Sequence, residues 1–302
     1  MCGECLEVPY DRYSKMEEKI TEKRTIKINN IDDDTSIDRL NKLITPFILR
    51  RKKKDVLKDL PDKIENNIIV ELNDEQKKLY LMQLEKTKEE LDKLIKDGNV
   101  NKSSILILSL LTKLRQICID PRLLFENEIK SSKLDTLIEI LNEVKKEHKI
   151  LLFSQYPSAL KLIIPTLDEN NITYYYLDGS TKSNKRVELV NKFNKDDINI
   201  FLISLKAGGT GLNLTSADVV IHLDPWWNPQ VENQATDRSH RIGQKKVVEV
   251  IKLIAKGTIE EKIVELQNKK QKLSDKIIEG DNRDSINISK MDVENLKELI
   301  GI

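Results

Sequence analysis

Lys149-Ile-Leu-Leu-Phe-Ser-Gln155 is a short apolar run closed by two polar residues, and four runs of the same kind follow it: Thr173–Leu177, Ile198–Ser204, Val219–Leu223 and Val247–Leu253. Runs of this length suit strands rather than helices. Amphipathic stretches fill the gaps, at about 157–170, 182–194, 229–241 and 258–278. Continuous apolar strands alternating with amphipathic helices predict an α/β fold, a parallel sheet covered on both faces. Such sheets bind ligands beyond the carboxyl ends of their strands. That rule selects Ser154-Gln155, Asp178-Gly179-Ser180, Ser204–Gly211, Asp224–Asn228 and the helix after them.

Upstream of Lys149 the pattern is different. Residues 1 to about 147 read as helices and loops. A helix is predicted from the Leu72-Asn73-Asp74 turn to about Lys96, with Asn73 as N-cap, Gln76 completing a capping box and Gly98 as its stop. Asp74-Glu75 follows Ile68-Ile69-Val70, but its place at a helix start marks it as capping rather than a metal-binding acidic box. A second helix runs from about Ser104 to Ile119 before Pro121, and a third follows Ser131-Ser132 with Leu134, Leu137, Ile138 and Leu141 on one face. The expected organisation is a remnant or linker over 1–40, a helical region over 41–147, the α/β lobe over 148–256, and a bracing helix with tail over 257–302. The tail reads as a linker from Asp281 and a short helix, Val293–Ile300.

Of the 302 residues, 39% are hydrophobic and 33% charged, which suits a helix-rich globular chain and excludes collagen or wholesale disorder. No apolar run approaches the roughly 18–20 residues of a membrane span, and three cysteines make no disulfide framework, so a reducing compartment is expected. Cys2 and Cys5 are half of a zinc pattern that no second CxxC or CxxH completes, so no metal site is expected. Net charge is only +1, but Lys42–Lys63 carries a local +5, including Arg50-Arg51-Lys52-Lys53-Lys54. Such a patch can neutralise phosphates, or be a solvated helix end.

The rare residues cluster. The chain has ten glycines, less than half the usual share of about 7%, and three of them sit together as Gly208-Gly209-Thr210-Gly211. Clustered glycines after a buried strand expose backbone N–H groups that can cradle an anion, with Lys206 and Thr210 adding a charge and a hydroxyl; the plainer reading is a tight turn. This is not a Walker A loop, because GxxxxGK[ST] occurs nowhere in the chain. Arginines number eleven against forty lysines, yet Arg238 and Arg241 are three apart. On a helix, Gln234, Arg238 and Arg241 would share one face, suited to clamping phosphate or to pairing with Asp237 or Glu232. Asp178-Gly-Ser-Thr181 reads as an N-cap or an anion site. The only tryptophans, Trp226-Trp227, sit on a strand-to-helix loop, where an indole can lie against a sugar or base or anchor the loop, and one of the two is expected in the core.

Together these stretches resemble the C-terminal part of Swi/Snf-type ATPases, in helicase superfamily two. Pro46-Phe-Ile-Leu-Arg through Leu-Pro61 looks like the segment linking two ATPase lobes. Leu114-Arg-Gln-Ile-Cys-Ile-Asp-Pro121 and Ser132-Lys-Leu134 are similar to the helical region after it. Lys149–Gln155 looks like helicase motif IV, Ser204–Ala217 like motif V and Gln234–Gln244 like motif VI. Asp-Arg-Ser-His-Arg-Ile-Gly-Gln244 is the most specific stretch; Ser239 departs from the family's usual alanine. The resemblance implies a RecA-like second lobe, with Arg238 and Arg241 as arginine fingers and Gly209, Gly211, Gln234 and Asp237 on the nucleotide side. It places Gly179, Ser180, Thr181, Ser204, Lys206, Gly208 and Thr210 toward the DNA backbone and Trp227 beside the minor groove.

The family's first lobe carries Walker A and Walker B, and neither box is found here. ATP and Mg are therefore expected only in combination with a first lobe, in cis or in trans, and turnover by this chain alone is not expected. The partners implied are duplex DNA backbone and that lobe, with no membrane. The location implied is intracellular, nucleoid-associated in a bacterium or nuclear in a eukaryote. Two functions stay open: half of a DNA-dependent translocase or remodeller, and a standalone nucleic-acid-binding or regulatory module.

Overall fold

The computed structural model describes residues 59–96, 104–126, 129–208 and 211–277, together with Leu57. The architecture below is that of the compact unit that holds Arg51–Gln271. The elements are β1 (Lys63–Val70), α1 (Asp74–Lys96), α2 (Ser104–Ile119), a 3-10 turn (Pro121–Leu123), α3 (Ser132–Val144), β2 (Ile150–Ser154), α4 (Pro157–Glu169) and β3 (Tyr174–Leu177). They continue with α5 (Ser183–Lys195), β4 (Ile200–Ser204), a single helical turn (Leu205–Gly208), β5 (Val219–His222), α6 (Pro229–Thr236), β6 (Val248–Ala255) and α7 (Ile259–Ile277).

All six strands among the described residues run parallel, in the order β1-β6-β5-β2-β4-β3. The five apolar runs are β2 to β6, as expected. β2 is buried at every position, and its alternate residues serve opposite faces. Ile150 and Leu152 pack with Leu134, Leu137 and Leu141 of α3 and Leu160 and Ile163 of α4. Leu151 and Phe153 pack with Val190 and Phe193 of α5 and Ala235 of α6. Each fully buried side chain of this size contributes about 1.5–3 kcal/mol, so helices on both faces are what make a sheet of continuous apolar strands stable. A third cluster joins α1, α2 and α7 through Tyr80, Leu114, Ile117 and Ile263, with Trp227 among them. The connection after β2 leads toward β3, whereas that after β4 passes back to β5. The chain thus reverses direction between these strands, the position at which α/β sheets form ligand crevices.

Three expectations need correction. The region over 41–147 is not only helix and loop: β1 adds an edge strand, paired with β6 from Lys63↔Val248 to Val70↔Ala255. Its Ile64–Asn67 stretch is exposed, so no buried run announced it. Gln76 does not complete a capping box. Asn73 Oδ1 accepts from Gln76 N (2.8 Å) as expected, but the Gln76 amide donates to Ile117 O (2.7 Å) and accepts from Ser132 N (3.1 Å). Ser132 Oγ accepts from the Asn73 N–H instead (2.9 Å). The helix expected over 229–241 ends at Thr236.

The remaining helices follow the sequence closely. Ser131 caps α3, accepting from Leu134 N at 3.2 Å, and Asp74 and Glu75 occupy the first turn of α1. The Arg50–Lys54 run, Cys2 and Cys5, Gly98, Gly209, Thr210, the linker from Asp281 and the helix over Val293–Ile300 lie outside the described residues.

Candidate functional site

The turn after α6 carries both arginines. Thr236 O accepts from Ser239 N (3.0 Å), Ser239 Oγ (3.0 Å) and His240 N (3.1 Å). The bond from His240 N is a regular helical one, but Ser239 N and Oγ share the same carbonyl and Arg238 N donates to Ala235 O (3.1 Å), the shorter-range bonds of a tightened turn. Arg238 and Arg241 therefore do not share a helix face with Gln234, which stays exposed in the last turn of α6. Gln244 fixes the far side. Its buried amide donates to Ala217 O (2.7 Å) and accepts from Lys245 N (2.8 Å) and Lys246 N (2.9 Å), around Gly243 at φ 104°. Ser239, the departure from alanine, is fully buried with its hydroxyl satisfied by Thr236 O.

Arg238 is half-buried and Arg241 exposed. Burial, then the neighbouring Arg241 charge, lowers the Arg238 pKa, with Asp237 opposing. Two guanidinium groups close enough to repel make a place that favours a polyanion. Glu232 is not their counter-ion: it is 1% exposed and pairs with Lys252 (3.0 Å) while accepting from the Trp226 N–H.

The loop after β4 meets this turn through its backbone, with Leu214 N donating to Arg238 O at 2.9 Å. Leu212, Leu214 and Ala217 anchor the loop in the core, leaving Gly211 exposed at φ 44°, a conformation that favours glycine. Lys206 is exposed on the single turn that follows β4. Ser204, expected to face DNA, is 2% exposed, in register with Ser154 on β2.

Beyond neighbouring β3, Asp178 organises a turn rather than a helix cap. It accepts from Ser180 N (2.9 Å), Ser180 Oγ (2.6 Å) and Tyr176 Oη (2.9 Å), bonds that hold its carboxyl below the usual range, the Ser180 hydroxyl most strongly and against a cost of burial. α5 begins only at Ser183, and its N-cap, Lys182, makes no side-chain cap. Arg186 holds the turn from within, donating to Thr181 O (2.7 Å), Gly179 O (3.1 Å) and Asp178 O (3.2 Å). Gly179 and Ser180 are left exposed, with open space around Gly179. β3 and β4 are neighbours, so this turn and Lys206 follow adjacent strand ends.

Of the two tryptophans, Trp227 is the core residue, at 5% exposure. Its burial removes it from the DNA-facing set, and Trp226 is the partly exposed one. The sequence reading also missed two buried ion pairs. Arg115 and Asp224, both with fully buried side chains, lie 3.3 Å apart. Lys133 and Glu260, equally buried, lie 2.6 Å apart. The available signal was a lone arginine on Ser104–Ile119, a helix otherwise almost without charge. Among the described residues no group of three or more His, Cys, Asp or Glu side chains is placed to hold a metal ion, and no helix is long and apolar enough to cross a membrane.

A parallel sheet with helices on both faces, a glycine-rich loop after β4 and an arginine pair after α6 define a RecA-like helicase lobe. The helicase conserved C-terminal domain family matches residues 132–243, and the SNF2-related domain family matches residues 7–123, a span that includes the stretch before Leu40 taken as remnant or linker. The chain is 34% identical to the C-terminal domain of the Sulfolobus solfataricus SWI2/SNF2 ATPase, over 79% of this chain and 98% of that one, with TM-score 0.63. It is 37% identical to that enzyme's core solved in complex with duplex DNA, over 89% of this chain and 57% of the other, with TM-score 0.64. An uncharacterized ATP-dependent helicase of Mycoplasma pneumoniae is 45% identical over 82% of this chain and 24% of its own length. The chain belongs to the SWI2/SNF2 ATPase family. It spans about a quarter of the length of the Mycoplasma pneumoniae relative and of a similar helicase of Mycoplasma genitalium.

Proposed function

We propose that this chain is the second lobe of an ATP-driven, DNA-dependent translocase or remodeller. Arg238 and Arg241 act as arginine fingers on the triphosphate, and the loops after β3 and β4 track the DNA backbone. The observation that carries this reading is the arginine pair. Two arginines scarce elsewhere in the chain are set on one turn, braced by Gln244 and hydrogen-bonded through Arg238 O to the loop after β4. Guanidinium groups suit the charge that develops on a transferring phosphoryl group. Asp237, Gly211, Gln234 and Gly209 belong to the nucleotide side in the same reading, with Gln234 reaching it from the last turn of α6 rather than from the arginines' turn. Mg, held by acids of a first lobe, would supply neutralisation of the β- and γ-phosphates; no donor set of this chain is assigned to it.

Gly179, Ser180, Thr181, Lys206, Gly208 and Thr210 form the proposed DNA-facing set. Exposed Gly179, Ser180 and Lys206 support it, as does the relative solved with duplex DNA. Contacts of this kind position a protein on phosphates without reading sequence. The partners are thus duplex DNA backbone and a first RecA-like lobe, and the setting is intracellular. The test is turnover in a two-lobe protein that contains this chain. Arg238→Ala or Arg241→Ala should lower kcat by roughly 10³-fold and leave DNA binding near parental. Parental turnover in both variants would exclude the finger assignment.

A further inference from the structure

Arg115 projects from α2, and its guanidinium hydrogen-bonds to other elements through both Nη atoms. Nη1 donates to Gln155 Oε1 at 2.9 Å, and Nη2 donates to Asp224 Oδ2 at 3.3 Å and to Pro225 O. Its guanidinium lies 5.6, 5.8 and 5.2 Å from the ring centroids of Tyr156, Trp226 and Trp227. Asp224 in turn accepts from Ser154 Oγ (2.6 Å) and Gln155 N (3.2 Å). One buried side chain thereby fastens the end of β2 to the loop that leaves β5.

Stability alone is a poor reason for such a group, because a well-packed apolar residue is often as good as a buried ion pair or better. The fork supplies directional hold on a loop. That loop leads directly into α6: Asn228 caps the helix, accepting from Gln230 N at 3.0 Å, and Pro229 begins it. Two further grips act on the loop: Glu232 of α6 accepts from the Trp226 N–H, and Gln267 of α7 donates to Trp226 O and to Glu232 Oε1 (3.2 Å). Arg238 follows the end of α6 by two residues.

We propose that Arg115 is a positioning residue, which holds the Asp224–Asn228 loop so that α6 presents Arg238 and Arg241 in register with the sheet. The inference rests on the proposed role of that arginine pair.

The test uses a two-lobe protein containing this chain, with three variants. Arg115→Met/Asp224→Asn removes both charges together, so no orphan carboxylate remains. Arg115→Lys keeps the charge but loses the planar fork. Arg241→Ala reports separately on the finger assignment. In the first two, kcat should fall at least roughly ten-fold, since small misplacement of catalytic groups can cost about 10²-fold; KM for ATP and duplex affinity should stay within about two-fold of parental. The 302-residue chain carries only these two tryptophans, so its fluorescence reads the loop itself and should shift to the red in both variants.

Recovery of parental kcat in the double variant along with its melting temperature would reduce Arg115 to a structural role. Parental kcat or unshifted emission in Arg115→Lys would also overturn the inference, and covers the case of a double variant that fails to fold. Parental turnover in Arg241→Ala sinks the finger reading instead, leaving the emission shift to decide whether Arg115 sets the loop.

Discussion

Lys133 Nζ lies 2.6 Å from Glu260 Oε2, with both side chains fully buried, and the same ammonium donates to Leu223 O (2.7 Å) and Leu253 O (2.8 Å). One lysine at the start of α3 thus ties together the ends of β5 and β6 and the first turn of α7. Glu260 completes the junction by accepting from Ala255 N at 2.8 Å. Every donor of the ammonium is used, the condition under which a buried charge is tolerated.

Removing either partner leaves the other charge buried and alone. Lys133→Met or Glu260→Gln should each destabilise the fold, Lys133→Met by roughly 3–5 kcal/mol and the neutral isostere by less. The double variant Lys133→Met/Glu260→Gln should recover a large part of that loss. Urea unfolding with a constant m-value measures it. Additive losses in the double variant would show that the pair is not coupled.

His222 provides a pH test. Its ring stacks on Phe153 with centroids 5.6 Å apart, Nε2 lies 3.2 Å from Thr236 Oγ1, and burial holds its pKa down at about 4. Between about 6.5 in the unfolded chain and about 4 in the fold, only the unfolded chain binds this proton. Stability from this group is therefore complete above about pH 6.5 and is lost as pH falls toward 4, by at most roughly 3 kcal/mol. An NMR titration of the His222 ring should show a midpoint near 4, and His222→Gln should flatten the stability profile between pH 7 and 5. A midpoint above 6 would refute the assignment.

The parts legible in sequence were those that local pattern determines. The apolar runs from Ile150 to Leu253 carry their own periodicity, and Asn73 and Ser131 announce the helices they cap. What escaped depends on distant partners. β1 is an edge strand whose Ile64–Asn67 stretch faces outward, so its pairing with β6 left no buried run to read. Gln-Ala-Thr-Asp-Arg-Ser-His-Arg241 contains neither glycine nor proline to announce the end of α6 at Thr236, where the chain passes into turns that Gln244 braces against Ala217. Lys133 looks like any solvated lysine until Glu260, 127 positions later, is placed beside it. For the candidate site, residue types and loops are readable, whereas burial is not: Ser204 and Trp227, which the family resemblance places toward DNA, lie in the interior.

The 302-residue chain by itself should show no ATP turnover. Motif VI supplies arginines, but the sequence has no GxxxxGK[ST] to place a phosphate-binding lysine. A coupled assay with saturating duplex should read background rates. DNA-stimulated turnover abolished by Arg241→Ala would prove this wrong and would place a complete site within these residues.

Lys206 tests the DNA path. It is exposed on the turn after β4, next to the Asp178–Thr181 turn on the neighbouring strand, and its flanking residues Leu205 and Ala207 are buried. Lys206→Ala should therefore remove a charge without disturbing the core. If Lys206 neutralises one phosphate, affinity should drop alike for every duplex sequence, and the log–log salt slope, about −0.9 per phosphate contact, should flatten by about one unit. Titration of labelled random-sequence duplex at several salt concentrations measures both quantities. A loss confined to one sequence would argue for base readout rather than backbone tracking. An unchanged slope would move the DNA path away from β4, toward the basic Arg50–Lys54 run.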